Sequence, residues 1–399
     1  MSRRTKIIIG VVVVLLLVAL GIFLYFLFTK EPVSPDGGGT FPGVGDEVTP
    51  KQEPPVVLPE EKPGAFEPIL RQLSKEPTAG AVLGVRSGEA IVRYQDRATG
   101  NIFEIGANAE GEKRLTNTTI PKVYEALWSK SGTTLISRYL RDDSEVIESF
   151  SARVNLEASG AEGELAGTFL PRGILDGAVS PDGTSFFYLT EKNGGAIGIR
   201  SDLAGNGRTQ LWDSPLYEWL VLWPSQNKIF LLSKPSFLAD GMLLSLDPGT
   251  GNTSLVLRNT PGLTALPNPV KPEVLFSSSR EASISLSLFN MTTGARTQVG
   301  VTTFPEKCAW NKGGTIFYCG VPKEIPTGSY PDVWYQGVIP FTDEVWSISP
   351  SGVTERILDI SEKRGSPIDL THPQVSTDDK FLVFTDKVSG TLWSLQMTE

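Results

Sequence analysis

One histidine stands in 399 residues, His372. Its scarcity removes most imidazole-based metal sites and every Ser-His or Cys-His nucleophile pair that does not use that single ring. His372 lies in Thr371-His372-Pro373-Gln374-Val375, on the approach to an inner strand. It reads as a locally hydrogen-bonded residue, because a lone histidine becomes a ligand only in company. Cysteine is almost as scarce, with only Cys308 and Cys319, too few for a structural zinc site. Basic clusters are missing as well. The formal net charge is −9, and residues 66–399 carry 30 basic against 38 acidic side chains, which argues against nucleic acid as a partner. No G-x-S-x-G elbow marks a hydrolase nucleophile. No loop offers a calcium-type ladder of alternating oxygens; Asp202 to Gly207 comes nearest and lacks the closing bidentate Glu. Asp182, Asp378, Asp379, Asp202 and Asp247 all sit at turns, where backbone geometry alone favours them. The expectation is a chain without metal, cofactor or enzymatic activity.

What the chain does have begins at its start. Ile7 to Phe28 is an unbroken apolar run without charge or proline, preceded by Arg3, Arg4 and Lys6. At 1.5 Å per residue such a helix reaches about 33 Å, enough to cross a hydrocarbon core of about 30 Å. The basic flank places residues 1–6 in the cytoplasm and the rest of the chain outside. A cleaved signal peptide is the competing reading. The run is too long for one, and it ends Phe23-Leu24-Tyr25-Phe26-Leu27-Phe28, bulky where a peptidase needs small residues. Residues 29–65 follow as a linker, and Glu31 to Ala65 alone holds eight prolines and six glycines. A segment so poor in apolar residues is expected to be disordered. As a flexible coil it spans about 30–35 Å, the reach of a stalk.

From residue 66 to 399 a unit of roughly 45 residues repeats, the period of propeller blades. Its marker is an apolar strand, a tight polar turn and a second apolar or aromatic strand. Val179-Ser180-Pro181-Asp182-Gly183-Thr184-Ser185-Phe186-Phe187-Tyr188 is the best copy. Others start at Trp128, Trp310 and Val375, with weaker ones at Trp223, Asn268 and Val85, seven in all. Two more strand candidates follow each marker, as at Ser283 to Asn290 and Arg296 to Gly300. Four strands per unit and seven units predict an all-β, seven-bladed propeller. The last unit stops after a third strand, Thr391 to Leu395, while Pro68 to Ser74 is an orphan strand before the first. Pairing the two closes the ring and removes an exposed sheet edge.

The Ser-Pro-Asp-Gly marker, the aromatic strand after it and the Lys113-Arg114-Leu115-Thr116 fourth strand resemble TolB-type (PD40/WD40-like) propeller repeats of bacterial envelope proteins. That resemblance implies the fold and a habit of binding proteins or peptides on one propeller face. The small α/β domain that precedes the TolB propeller has no counterpart here, so the TolB role itself does not carry over.

Cys308 and Cys319 flank the sixth turn symmetrically about Gly313-Gly314. A hairpin sets them opposite one another, where a non-hydrogen-bonded pair brings Cα atoms to about 4.5 Å, within disulfide reach. An extracytoplasmic compartment permits the oxidation. The strongest functional pointer is an insertion in the sixth unit, Val321 to Thr342. Loops of this length are functional or disordered, and aromatics argue against disorder. Tyr330, Trp334, Tyr335 and Phe341, joined on the same face by Tyr217 and Phe237 and rimmed by Glu324, Asp332 and Asp343, suggest a partner-binding surface. The alternative is that Trp334 and Tyr335 fold back as a plug over the channel. Together these readings predict a membrane-anchored extracytoplasmic scaffold or receptor for an envelope protein, a peptide or a cell-wall polymer. The second possibility is a propeller hydrolase or lyase acting on cell-surface carbohydrate through acidic residues in the central channel.

Overall fold

The computed structural model describes residues 66–141, 145–156, 163–280 and 283–398. The predicted transmembrane helix 7–28, its cytoplasmic stub and the linker 29–65 lie outside the described residues. Among the described residues no helix is long and apolar enough to cross a membrane.

Seven four-stranded antiparallel sheets form the seven blades of a propeller. The first strands of successive blades are Thr78–Arg86, Val123–Trp128, Ile174–Val179, Trp219–Ser225, Thr264–Pro267, Cys308–Trp310 and Leu370–Val375. These first strands touch their counterparts in neighbouring blades and so surround the axis. Second strands are buried on both faces, and their sequences show why. Phe186, Phe187, Tyr188 and Leu189 of Ser185–Lys192 are all buried, as are Ile229 to Leu232 of Lys228–Ser233. A strand sandwiched between blades has no solvent face, so the polar–apolar alternation collapses into a continuous apolar run. Outer strands such as Ala166–Phe169 and Arg296–Gln298 are exposed throughout. The core therefore lies between blades, in clusters such as Phe187, Trp212, Trp219, Trp223 and Leu231.

The repeated turn locks itself and its neighbour. Ser180 Oγ donates to Asp182 Oδ1 at 2.6 Å, and Asp182 Oδ2 accepts from Gln226 of blade 4 at 2.6 Å. Gly183 has φ +70°, and a Cβ there would lie 2.9 Å from Ser129 Cβ in blade 2. Glycine is thus needed for both backbone conformation and close approach. Asp202, Asp247 and Asp378 accept backbone N–H groups within their own turns, at 2.7, 2.7 and 3.2 Å.

The ring closes as the orphan strand requires. Ile69–Gln72 pairs antiparallel with Leu392–Gln396, from Ile69 opposite Gln396 to Gln72 opposite Trp393, and becomes the fourth strand of blade 7. Ser74 Oγ then accepts from Leu392 N at 2.9 Å. Cys308 and Cys319 are cross-strand partners with Cα atoms 4.1 Å apart, and a disulfide joins them.

Candidate functional site

Blade 6 departs from the others between its second strand, Phe317–Pro322, and its third, Asp343–Ile348. The intervening residues form a cap with one short helix, α1 (Asp332–Tyr335). Tyr330, Trp334 and Phe341 point inward, packing with Phe304 and Ile284. Phe304 stacks on Trp334 at 5.1 Å between ring centroids. The docking surface expected from these aromatics therefore excludes Tyr330, Trp334 and Phe341, which are buried. Apolar rings beside a ready hydrophobic wall gain more by burial than by facing water. Tyr335 and Tyr217 remain 37% and 41% exposed, and Phe237 is partly buried.

The cap is fastened to four blades. Asp332 accepts from Phe237 N at 2.5 Å and Ser236 Oγ at 3.2 Å, in the link between the second and third strands of blade 4. Gly262, before blade 5, lies so close that a Cβ would sit 3.2 Å from Tyr330 O and Pro331 Cδ. The Tyr335 hydroxyl donates to Glu306, at the head of blade 6. Trp334 Nε1 donates to both oxygens of Asp369, before blade 7, at 2.9 and 3.2 Å. Asp343, expected on a solvated rim, is instead fully buried against Lys307.

With the cap resting on blades 4 to 7, a cavity of about 440 Å³ remains on the side of blades 7, 1 and 2. Its polar lining includes Arg97, Tyr124, Glu125, His372, Gln374 and Lys387. The inner strands shape this wall because several are bulged. Register slips between Thr78 and Gly80, Val123 and Glu125, Ile174 and Asp176, and Thr371 and Gln374. A bulge interrupts the ladder and re-aims side chains. His372 sits in the last of these at φ +50°, a left-handed conformation uncommon outside glycine. Its imidazole is exposed to the cavity and makes no hydrogen bond among the described residues, unlike the local bonding expected of it. Desolvation by the surrounding channel wall, acting although the ring meets the cavity, holds its pKa below the ordinary value of 6.5.

Arg138, from the second strand of blade 2, answers the bulges. Its buried guanidinium binds Glu125 Oε2 at 2.6 Å and the carbonyls of Ile174 and Leu175 at 3.0 Å, and lies 3.8 Å from Asp176 Oδ1. Asp176 Oδ2 accepts from Val221 N of blade 4 at 2.6 Å. Burial, then the nearby Glu125 carboxylate, pushes Asp176 up to about 7. The Arg138 guanidinium, whose nearest contact is with Glu125, offsets this only in part. Gln374 stitches blade 7 to blade 1, accepting from Leu83 N at 2.9 Å and donating to Ala81 O at 2.8 Å.

Sequence reading passed over Arg97, Tyr124, Glu125, Arg138, Asp176, Lys307, Asp369 and Lys387. A signal for two of them existed: Glu125 and Asp176 occupy the same position, third residue of an otherwise apolar inner strand, in consecutive repeats. Among the described residues no group of three or more His, Cys, Asp or Glu side chains is arranged to hold a metal.

No family model matches the chain, and no curated protein matches it. Solved structures resemble it in fold. An oligogalacturonate lyase from Vibrio parahaemolyticus aligns with a TM-score of 0.51 at 11% identity, covering 84% of this chain and 99% of that one. An oligogalacturonate lyase in complex with manganese gives 0.50 at 12% identity, with coverage of 84% and 97%. TolB from Acinetobacter baumannii gives 0.42 at 10% identity, with coverage of 76% and 62%, a superposition too loose to argue from. Identities this low establish the propeller fold alone.

Proposed function

We propose that the protein is a membrane-anchored, extracytoplasmic binding module whose ligand docks at the half-capped mouth of the propeller channel. The anchor and stalk rest on the apolar run 7–28 and the Pro/Gly-rich segment after it. One observation carries the binding reading: the cap is pinned across blades 4 to 7, leaving a single-sided cavity that brings together Arg97, His372 and Lys387. A concave site with a few convergent polar groups is the usual form of a ligand site. Partners of the kind expected are an envelope protein, a peptide or a cell-wall polymer.

A photo-crosslinking residue placed at Arg97 in intact cells tests this, with Leu255 on the exposed outer strand of blade 4 as control. Adducts at position 97 and none at 255 support the proposal. Equal labelling, or none at 97, rejects it.

One observation favours a second reading, a hydrolase or lyase acting on carbohydrate. Glu125 and Asp176 flank one guanidinium in the channel, and Asp176 is raised to about 7. Carboxylates in unequal environments are the raw material of acid–base catalysis. Here, however, Glu125 is paired with Arg138 and Asp176 is bonded to Val221, uses that hold strands together. Release of unsaturated or reducing ends from acidic oligosaccharides, lost in Glu125→Gln, would move the assignment to an enzyme.

A further inference from the structure

Lys307, Asp343 and Asp369 meet beneath the cap, each no more than 1% exposed. Lys307 Nζ lies 2.6 Å from Asp343 Oδ2 and 2.5 Å from Asp369 Oδ1. Its ammonium is also 5.2 Å from the Trp334 ring and 5.3 Å from the Phe341 ring. The two carboxyl groups are held differently. Asp369 accepts from Trp334 Nε1 and from Phe341 N, at 2.9 and 3.1 Å on Oδ2. Asp343 Oδ2 accepts from Leu370 N at 2.6 Å, whereas Asp343 Oδ1 is buried with no partner among the described residues. A buried carboxylate oxygen left without a donor is costly; protonating it costs less, and forming an amide removes that oxygen altogether.

We propose that this triad is a self-processing site, in which Lys307 condenses with Asp343 to form an intramolecular isopeptide bond and Asp369 carries the protons. Nζ gives one proton to Asp369 and, its lone pair freed, attacks Cγ of the protonated Asp343. A second Nζ proton passes through Asp369 to Oδ1. That oxygen, already bearing the carboxyl proton, leaves as water with the electrons of the broken C–O bond. One proton stays on the amide nitrogen and one on Asp369, so atoms and charge balance without any added reagent. Oδ2 becomes the amide carbonyl, and the Leu370 N–H that it already accepts stabilises the negative charge developing on it during attack. Burial pushes Asp343 up to about 6, which raises the share of molecules that carry the neutral, electrophilic carboxyl group. Reactants held in contact in a site closed to bulk solvent also have little entropy left to lose. The bond ties the head of blade 6 to the residue at which the cap ends, making the cap's C-terminal attachment covalent.

Mass spectrometry of the full-length protein, purified from membranes and reduced, tests this. Wild type should be one water lighter than its sequence. A peptide map should show no tryptic cleavage after Lys307 and that residue joined to the peptide containing Asp343. Lys307→Met and Asp369→Asn should each have the full sequence mass, with circular dichroism reporting whether Asp369→Asn still folds. A wild-type chain at its sequence mass, with normal cleavage after Lys307, overturns the proposal whatever the variants do. So does the same water deficit in Lys307→Met.

Discussion

His372 is the one side chain whose sequence reading and placement part most sharply. Proline follows it, and the bulge between Thr371 and Gln374 turns its backbone to φ +50°. Non-glycine residues in that region are held by their surroundings and concentrate at functional sites. Because it is the chain's only histidine, nuclear magnetic resonance will show one imidazole, and its titration midpoint should fall below 6.5. A midpoint at or above that value would contradict desolvation by the channel wall as the controlling effect.

Asp176 gives a second prediction at this scale. Its folded pKa is raised to about 7 from an ordinary 3.8. The folded state therefore binds the proton more tightly than the unfolded state. The resulting stabilisation is full below the unfolded pKa and is lost as pH rises through the folded one. Asp176→Asn keeps an oxygen for Val221 N and has no proton to lose. Relative to wild type, its urea midpoint should improve steadily between pH 4 and pH 8. A difference that does not change with pH would mean that Asp176 ionises normally.

Among elements, the cap is the informative one. The sequence marks 321–342 as a long aromatic insertion and leaves two fates open, display or plugging. Burial decides for folding back, since Trp334 is 2% exposed and bonded to Asp369. Trp334→Ala should cost about 3–5 kcal/mol, the usual loss for emptying a large buried aromatic site. It also strips one donor from Asp369. Thermal unfolding will measure this, and a loss below about 1 kcal/mol would indicate a cap only loosely seated. Gly262→Ala makes an independent check on the same contact. At φ +55°, with Ser279 Cβ 3.0 Å and the cap's Pro331 Cδ and Tyr330 O 3.2 Å from the new methyl, it should lower the melting temperature, whereas the exposed Gly294→Ala should matter less to packing.

For the whole molecule, closure of blade 7 is the decisive join. The pairing of Ile69–Gln72 with Leu392–Gln396 links strands more than 300 residues apart, so it forms only when the ring is complete. A protein lacking residues 1–65 retains that strand and should stay monodisperse in size-exclusion chromatography. One lacking residues 1–74 leaves the Leu392–Gln396 strand as an open edge and should aggregate. Identical behaviour of the two would remove the closing strand's role.

Much of this architecture was legible because it is local and repeated. The Ser-Pro-Asp-Gly turn uses Asp182 as an acceptor and Gly183 at positive φ, and its counterparts put Gly132, Gly314 and Asp379 at positive φ in the same place, so each copy announces a blade. Symmetry about Gly313-Gly314 likewise sets Cys308 opposite Cys319, and an apolar second strand shows that both its faces are covered. The site was hidden for the opposite reason. Glu125, Arg138 and Asp176 come from two blades, and Lys307, Asp343 and Asp369 from two others, brought together by bulges and by a fold-back that no periodicity encodes. The amino-acid order alone determined the number of blades and how they close, since hydrogen-bonded turns and burial patterns act over a few residues. Only the tertiary structure decided which aromatics meet water and which charges meet one another, because those choices depend on what lies across the gap between blades.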